Sequence, residues 1–544
     1  MSDPTSRVRG QPAGSTTRVA LRIAAGPAPA YLADAVERLM RVEGVEVVLA
    51  LVAPEPSPNP RQTVRAALER GYERLERLLL RSGTPAMRAV PPIQLAATVP
   101  RLHGGTKADQ LAALAQARPD VLFDVAADGE EGQLSVPRLG TWRLRYGPGV
   151  GGARRDWLTR PSTRHQLAEA VLAIDLGSRT TEACRAVGAL QRIGFYRSRD
   201  TLYWLSAAFA ARRLKRVIAG DTLMEPASHV SSADMGPARE ARAASGSSSE
   251  TPPFRELLAL VFRRVLERVL FTSSWLVLVR RRNPDDGPPT DLRGFSAVAA
   301  PPSRFYADPF VIAEGPAARL FVEDCPRGRH RGRIASLTPT SSGWASSGVV
   351  LADLDHRAYP HVVRTSQGLL MTPDNGRAGG VDIFRYAEGE KGWVQVGRCL
   401  NGVAASDPTL LEWEGRFWLF VAVTGLGMSP WDELHLFSAG DLAGPWKEHP
   451  RNPIVADVRR ARPAGRIFQS GETLIRPGQD CSTAYGRRIV LNAIITLTDA
   501  DYEERPISSI EPTGFPGIVR THTYSFDGTL EALDGYQRRL RFGR

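Results

Sequence analysis

Asp308, Tyr359, Asp407 and Arg462 each precede a proline, and each stands near the start of one copy of a repeated phrase. The copies read FYADPFVIAEGPAARLFVED (305–324), AYPHVVRTSQGLLMTPD (358–374), SDPTLLEWEGRFWLFVAV (406–423) and ARPAGRIFQSGETLIRPGQD (461–480). A second polar set ends them: Glu323 and Asp324, Asp374, Gln479 and Asp480. Carboxylates gathered with an arginine and aromatic rims suit polyhydroxylated ligands and glycosidic chemistry. One carboxyl protonates a leaving oxygen while another acts as base or nucleophile. Asp-Pro at a strand start is also ordinary turn chemistry. Repetition at one register is what favours a site.

The elements that must position these residues are hairpins. In each copy a polar or aromatic residue and a proline lead an apolar run, a polar or glycine tip and a second apolar run. Pro309, Pro360, Pro408 and Pro463 recur about every 50 residues, the period of a β-propeller blade. The first strand of each blade lines the propeller axis, so residues beside the prolines converge there. The segment SWLVLVR (274–280) precedes the first recognised blade and can complete the last sheet with 519–526 and 529–533. Closure of this kind removes open edges and predicts about five blades. On this reading Asp308, Asp374, Asp407 and Glu323 are candidate catalytic groups. Tyr306, Asp324, Tyr359, Arg462, Arg476, Gln479 and Asp480 are candidate substrate contacts. Trp413, Trp418 and Trp446 read as packing between blades, and His449 and His522 as hydrogen-bonded structural histidines.

The motifs YADPF with FVED, YPHVV with MTPD, DPTLLEWEGRFWLF, GPWKEHPRNPI, ARPAG, RPGQDCSTAYG and HTYSFDG resemble the five-bladed propeller domain of plant glucosamine inositolphosphorylceramide transferase. The resemblance spans approximately residues 272–540 and extends to bacterial two-domain proteins with a formyltransferase-like half. It implies a fold similar to that of furanosidases and fructan enzymes, where an inner-strand Asp is base or nucleophile, a second Asp tunes pKa and a Glu is the acid. Asp308 matches the first of these, and Asp407 lies on a third-blade inner strand. Asp374 stands where the closer relatives carry Glu. The plant relative has a separate glycosyltransferase domain with no counterpart in this sequence, so its transferase activity does not transfer with the fold.

The first half has another character. VALRIAA (19–25), a helical pattern over 31–43 and VEVVLALV (45–52) form a strand, helix, strand opening that predicts a parallel sheet. Further strands are expected at 119–126, 139–146 and 167–175, and helices at 64–80 and 181–190. PDVLFDVA, LGTWRLRYG and AIDLGSRT resemble segments of the formyltransferase family, which implies an N-terminal Rossmann-like α/β domain over 18–192. That family's chemistry uses an Asn, a His and an Asp. Asp175 falls on the Asp position, but Trp142 to Tyr146 supply neither Asn nor His, and Gly151 to Arg155 replace the folate loop. Formyl transfer and folate are therefore not expected.

The remaining boundaries are a flexible leader (1–17), a basic amphipathic helical segment (193–222), a disordered linker (223–253), a connecting helix (254–273) and the propeller (274–540). The segment 193–220 offers peripheral membrane contact as an alternative to a packed face. The chain has 544 residues and a formal charge of +12, which favours anionic partners. Cys184, Cys325, Cys399 and Cys481 match no metal pattern and read as reduced thiols. Neither a signal peptide nor a spanning segment is evident, so a cytoplasmic or membrane-peripheral place is expected. The expected function is a sugar transferase or glycosidase-like enzyme acting on a phosphorylated, nucleotide-linked or lipid-linked sugar. A glycan-binding scaffold and a residual sugar N-formyltransferase are the alternatives. An axial metal ion in the propeller is the one cofactor envisaged, and no specific nucleic acid partner is expected.

Overall fold

The computed structural model describes residues 16–53, 63–80, 84–126, 137–147, 166–177, 179–190, 194–221, 254–283, 286–313, 318–328, 331–352, 356–376, 379–388 and 392–540. The expected leader, the linker 223–253 and the Gly151 to Arg155 loop lie outside them, apart from the last two residues of the leader. Two compact units emerge, one built on the described residues of Met1–Ser228, Ser245–Val261 and Leu426–Met428 and one on those of Phe262–Gly425 and Ser429–Arg544.

The first unit carries a seven-stranded sheet. Its order is Arg101–His103, Val45–Ala53, Thr17–Ala24, Val121–Asp124, Thr141–Gly147, Gln166–Asp175 and Thr180–Leu190. The first five strands run parallel, as the strand, helix, strand opening requires. The last two fold back antiparallel, which makes the sheet mixed. The helix expected over 181–190 is thus a strand. Its alanines, Ala183, Ala186 and Ala189, favour helix by intrinsic propensity, and pairing with Gln166–Asp175 overrides them. Gly188 also lies where a Cβ would meet Leu202 at 2.8 Å, so that side chain packs directly on the strand backbone. The aromatic segment after it forms helices Phe195–Ala207 and Phe209–Ile218. Phe195, Tyr196, Tyr203, Trp204, Phe209 and Leu214 are buried within the unit, so the face offered for membrane contact is a packed one.

The second unit is a five-bladed propeller. Four sheets follow the chain: Arg304–Ile312 to Gly343–Leu351, Ala358–Thr365 to Gly392–Cys399, Ala405–Trp413 to Lys447–Glu448, and Phe468–Ser470 to Tyr502–Ile510. The fifth pairs the early strand Phe271–Arg281 with the final strand Leu530–Leu540, beside Tyr524–Asp527. Both ends of the domain therefore close one blade. The inner strands of the sheets are covered on both faces, which explains runs such as RLFV and RFWLFVAV. Alternate residues feed alternate neighbours. Phe321 packs towards the second blade with Met371 and Phe384, while Leu320 and Val322 pack towards the fifth with Val277 and Ala532.

On three inner strands the residue before proline has a left-handed backbone: Asp308 at φ 48°, Tyr359 at 45° and Asp407 at 52°. Each sits in a β-bulge, where the ladder skips between Ala307 and Phe310, Ala358 and His361, or Ser406 and Thr409. A bulge turns its side chain out of the sheet alternation and towards the axis. Below the resulting mouth Tyr359 bridges the inner strands. Its hydroxyl stands 2.8 Å from Thr409 Oγ1 and accepts from the Gly465 N–H at 2.8 Å. Gly465 has φ 120°, and a Cβ there would lie 1.8 Å from the Tyr524 carbonyl oxygen. Replacing Tyr359 with Phe should cost about 1–3 kcal/mol, because the buried Gly465 N–H loses its acceptor. An unchanged denaturation midpoint would refute the bridging role.

Candidate active site

The bulges and the second strands together build one acidic centre at the propeller axis. Ala307 pairs with Glu323 and Ala358 with Asp374, so these two acids occupy the same place in successive blades. Asp374 Oδ2 accepts the Asp407 N–H at 3.0 Å. In the fifth blade Asp534 does the same for the Asp308 N–H, also at 3.0 Å. Asp308 in turn accepts the Tyr359 N–H at 3.2 Å and the Thr523 hydroxyl at 2.6 Å. Asp407 receives Arg462 through two bonds, of 2.6 and 3.0 Å, and Gln479 Nε2 at 3.2 Å. Such charge-assisted, bidentate geometry fixes both partners.

Glu323 differs from the rest. It is buried, no described residue donates a hydrogen bond to its carboxyl, and the His356 ring stands with Nε2 at 3.9 Å. Gly332 makes room for it, since a Cβ there would fall 2.3 Å from Glu323 Oε1. Burial, then the negative fields of Asp308, Asp374, Asp534 and Asp407, hold Glu323 well above the usual carboxylate range. Burial also raises Asp407 to about 7 despite Arg462, with Asp374 and Asp308 adding to the rise. Asp308 is raised by burial and by Asp534, against the pull of His522.

Asp308, His522 and Asp534 offer ligand atoms all within 4.8 Å of one another, the spacing a metal ion needs. They already satisfy one another: His522 Nδ1 is 2.7 Å from Asp534 and Nε2 is 3.5 Å from Asp308. Burial opposes protonation of His522, yet the two carboxylates outweigh it and its pKa rises. An ion bound between His522 Nε2 and Asp308 would leave the His522 to Asp534 bond in place to orient the ring.

Aromatic rings stand beside this floor. Trp275 stacks on His522 with centroids 3.8 Å apart, and Trp431 stacks on Tyr485 at 5.9 Å. Tyr485 meets His522 edge-on at 5.1 Å and lies beneath the Arg462 guanidinium. Half-buried rings beside carboxylates give apolar sugar faces a surface to stack on.

Of the residues singled out from sequence, Asp308, Glu323, Asp374, Asp407, Arg462 and Gln479 meet at this centre. Tyr359 lies under it as a bridge, and Tyr306 lines a neighbouring cleft. Three others point elsewhere. Asp324, on the opposite face of its strand from Glu323, is held by Arg304 and Arg333. Asp480 is held by Arg487 and Arg488, and Arg476 is buried against Glu504 at 2.6 Å. Alternation along a strand sends one member of each polar doublet to the axis and the other away. Trp418 is core, and Trp413 and Trp446 pack against core clusters. His449 is fixed by the Thr498 carbonyl and the Arg451 N–H. Thr523, Asp534, Trp275, Trp431 and Tyr485 were the contributors not singled out, and His522, read as a structural histidine, is hydrogen-bonded to Asp534 at the centre itself. The signal for Asp534 was its place at the end of a fifth hairpin, equivalent to Asp374.

Residues 294–513 match the family model described as glucosamine inositolphosphorylceramide transferase 1, N-terminal. A rice (Oryza sativa subsp. japonica) glucosamine inositolphosphorylceramide transferase 1 is 32% identical over 212 residues, covering 38% of this chain and 28% of the rice protein. The Arabidopsis thaliana protein of the same name is 30% identical over 208 residues, covering 37% and 27%. The chain thus spans little more than a quarter of these curated relatives. Among solved structures, a family 117 glycoside hydrolase from Zobellia galactanivorans aligns at 13% identity and TM-score 0.31, over 49% of this chain and 91% of that one. A Cellvibrio cellulosa α-L-arabinanase aligns at 13% identity and TM-score 0.29, over 38% and 80%. These two superpositions are too loose to bear on the site.

The raised acids have a consequence for stability. A carboxyl whose pKa is higher folded than unfolded keeps a proton that the unfolded chain has released. Its contribution is full below the unfolded value of about 4 and is lost as pH rises towards the folded one. Asp407 and Asp432, both raised to about 7 by burial, and Glu323 all act in this direction. The melting temperature should therefore be higher near about pH 5.5 than near about pH 7.5. Glu323→Gln and Asp432→Asn should each flatten that slope. A melting temperature that climbs across this window would contradict the assignment.

The sequence similarity falls on the propeller, where residues 294–513 resemble the N-terminal region of glucosamine inositolphosphorylceramide transferase 1.

Proposed function

We propose that the propeller acts on a carbohydrate, cleaving or transferring a glycosyl group at the axial carboxylate centre. The observation that carries this is Glu323: buried, without a hydrogen-bond donor among the described residues, and raised in pKa by that burial and then by the acids around it. A carboxyl that holds its proton near neutral pH is suited to general acid catalysis. Glu323 would give that proton to the leaving oxygen. Asp308, fixed by Thr523, Tyr359 and the His522 to Asp534 pair, would accept the proton of the attacking hydroxyl or water. Asp374 and Asp407 would supply the negative field that an oxocarbenium-like transition state needs. Arg462 and Gln479 hold Asp407 in place and offer donors to a hydroxylated or phosphorylated ligand.

The names of the plant relatives, which specify an inositolphosphorylceramide, make a sugar on a phosphorylated lipid the substrate class to try first. The match covers less than a third of those proteins, so the whole enzyme's activity is a proposal for this chain.

A glycan-binding role without turnover is the second reading, favoured by the extent to which the carboxylates are committed to backbone N–H groups. The third, one-carbon transfer by the first unit, gains nothing from Asp175. That residue accepts the Gly177 N–H at 2.9 Å, as a turn residue does, and faces Arg143 at 3.6 Å. Trp142, in the region expected to supply Asn or His, is buried and donates to the Leu139 carbonyl.

Glu323→Gln and Asp308→Asn should each lower turnover by ~10²–10⁴-fold with little loss of glycan affinity. Isothermal titration beside a product assay on nucleotide-activated and lipid-linked sugars separates the readings. Saturable binding with no turnover by the wild-type chain would favour the binder and defeat the enzyme.

A further inference from the structure

We propose that the last turns of helix Phe254–Leu270 dock the propeller onto an anionic lipid surface. Phe262, Val265, Leu266 and Val269 are 69%, 55%, 43% and 50% exposed. Their spacing of three, one and three residues places all four on one stripe of the helix. Leu258 continues that spacing one turn earlier. Single exposed apolar residues are common on protein surfaces, whereas a continuous helical stripe of large ones calls for a partner.

Charge selects which partner. The segment FRELLALVFRRVLERVL holds four arginines against two glutamates. Glu267 is bonded to Arg263 at 2.9 Å and faces Arg538 at 3.3 Å, so two guanidiniums meet one acid beside the stripe. An apolar face with a basic flank is the pattern of a helix lying in the headgroup region, where arginines reach anionic lipids. No helix among the described residues is long and apolar enough to cross a membrane, which leaves this one to lie along the surface.

The surroundings extend the same character. The helix runs directly into strand Phe271–Arg281, and Leu540, paired with Phe271 across the sheet, is 59% exposed beside the exposed Arg539. That strand contributes Thr272, Ser274 and Trp275 to a cleft of about 530 Å³ whose other walls include Tyr306, Arg327 and Arg539. Trp275 is also the ring stacked on His522. A lipid-borne headgroup held in this cleft would lie against Trp275, the ring that borders the acidic centre. That last step rests on the function proposed above; the docking does not.

The test uses the full chain and sedimentation with vesicles of phosphatidylcholine alone or of phosphatidylcholine with phosphatidylglycerol. Binding to the anionic vesicles should weaken as salt is raised, and should fall ~10-fold or more in the double variant Phe262→Ser, Val269→Ser. Both positions are exposed, so the variant should keep the wild-type melting temperature. Failure to bind anionic vesicles at low salt would overturn the proposal. So would equal binding to neutral vesicles, or a wild-type dimer in velocity sedimentation that the variant loses without any vesicle binding. Glu323→Gln should bind vesicles as the wild type does, which keeps this result separate from the fate of the catalytic reading.

Discussion

The backbone N–H groups of Asp308 and Asp407 each end on a carboxylate of the neighbouring blade, and that of Tyr359 ends on Asp308 itself. These bonds are what allow left-handed residues to stand before proline on three inner strands. A buried N–H without an acceptor costs about as much as a lost hydrogen bond, and here a carboxylate supplies the acceptor each time. The arrangement ties the fifth blade to the first, the first to the second and the second to the third. Asp407 and Arg462 then tie the third to the fourth. The same bonds force several acids into one small volume, which adds to burial in raising the pKa of Glu323, the acid left without a donor. Blade closure and acid chemistry are thus two results of one constraint.

The propeller was legible because its sheets are buried on both faces. Apolar runs of nearly constant length, each led by a proline, give a period that survives without knowledge of any contact. The bulge did not show in the sequence. It shifts the alternation of the first strand by one step between Ala307 and Phe310, and so brings Asp308 to the axis out of register with its neighbours. Closure hid the rest. His522, Thr523 and Asp534 sit in the blade assembled from both ends of the domain, where the repeat is interrupted and its register cannot be counted forward. Trp275 reaches the centre from the opposite end of that domain.

In the first unit the parallel strands followed from their apolar runs. The error at 181–190 arose because a row of small residues carries no periodic signal, so pairing with the preceding strand sets the outcome. The aromatic and basic segment after it illustrates a related ambiguity. Phe195 to Ile218 and Phe254 to Leu270 both read as amphipathic helices, yet the first buries its rings within its unit while the second leaves a stripe in solvent. Composition gives the two faces of a helix, and only the surrounding packing says which of them is covered.

The account rests on a proton held by Glu323, and the direct measurement is a carbon-13 NMR titration of glutamate side-chain carboxyls, with Glu323→Gln supplying the assignment. One glutamate signal should titrate well above the free glutamate range and vanish in the variant. If the Glu323 signal instead moves at about pH 4.3, the free value, its environment does not hold the proton and the proposed acid is lost.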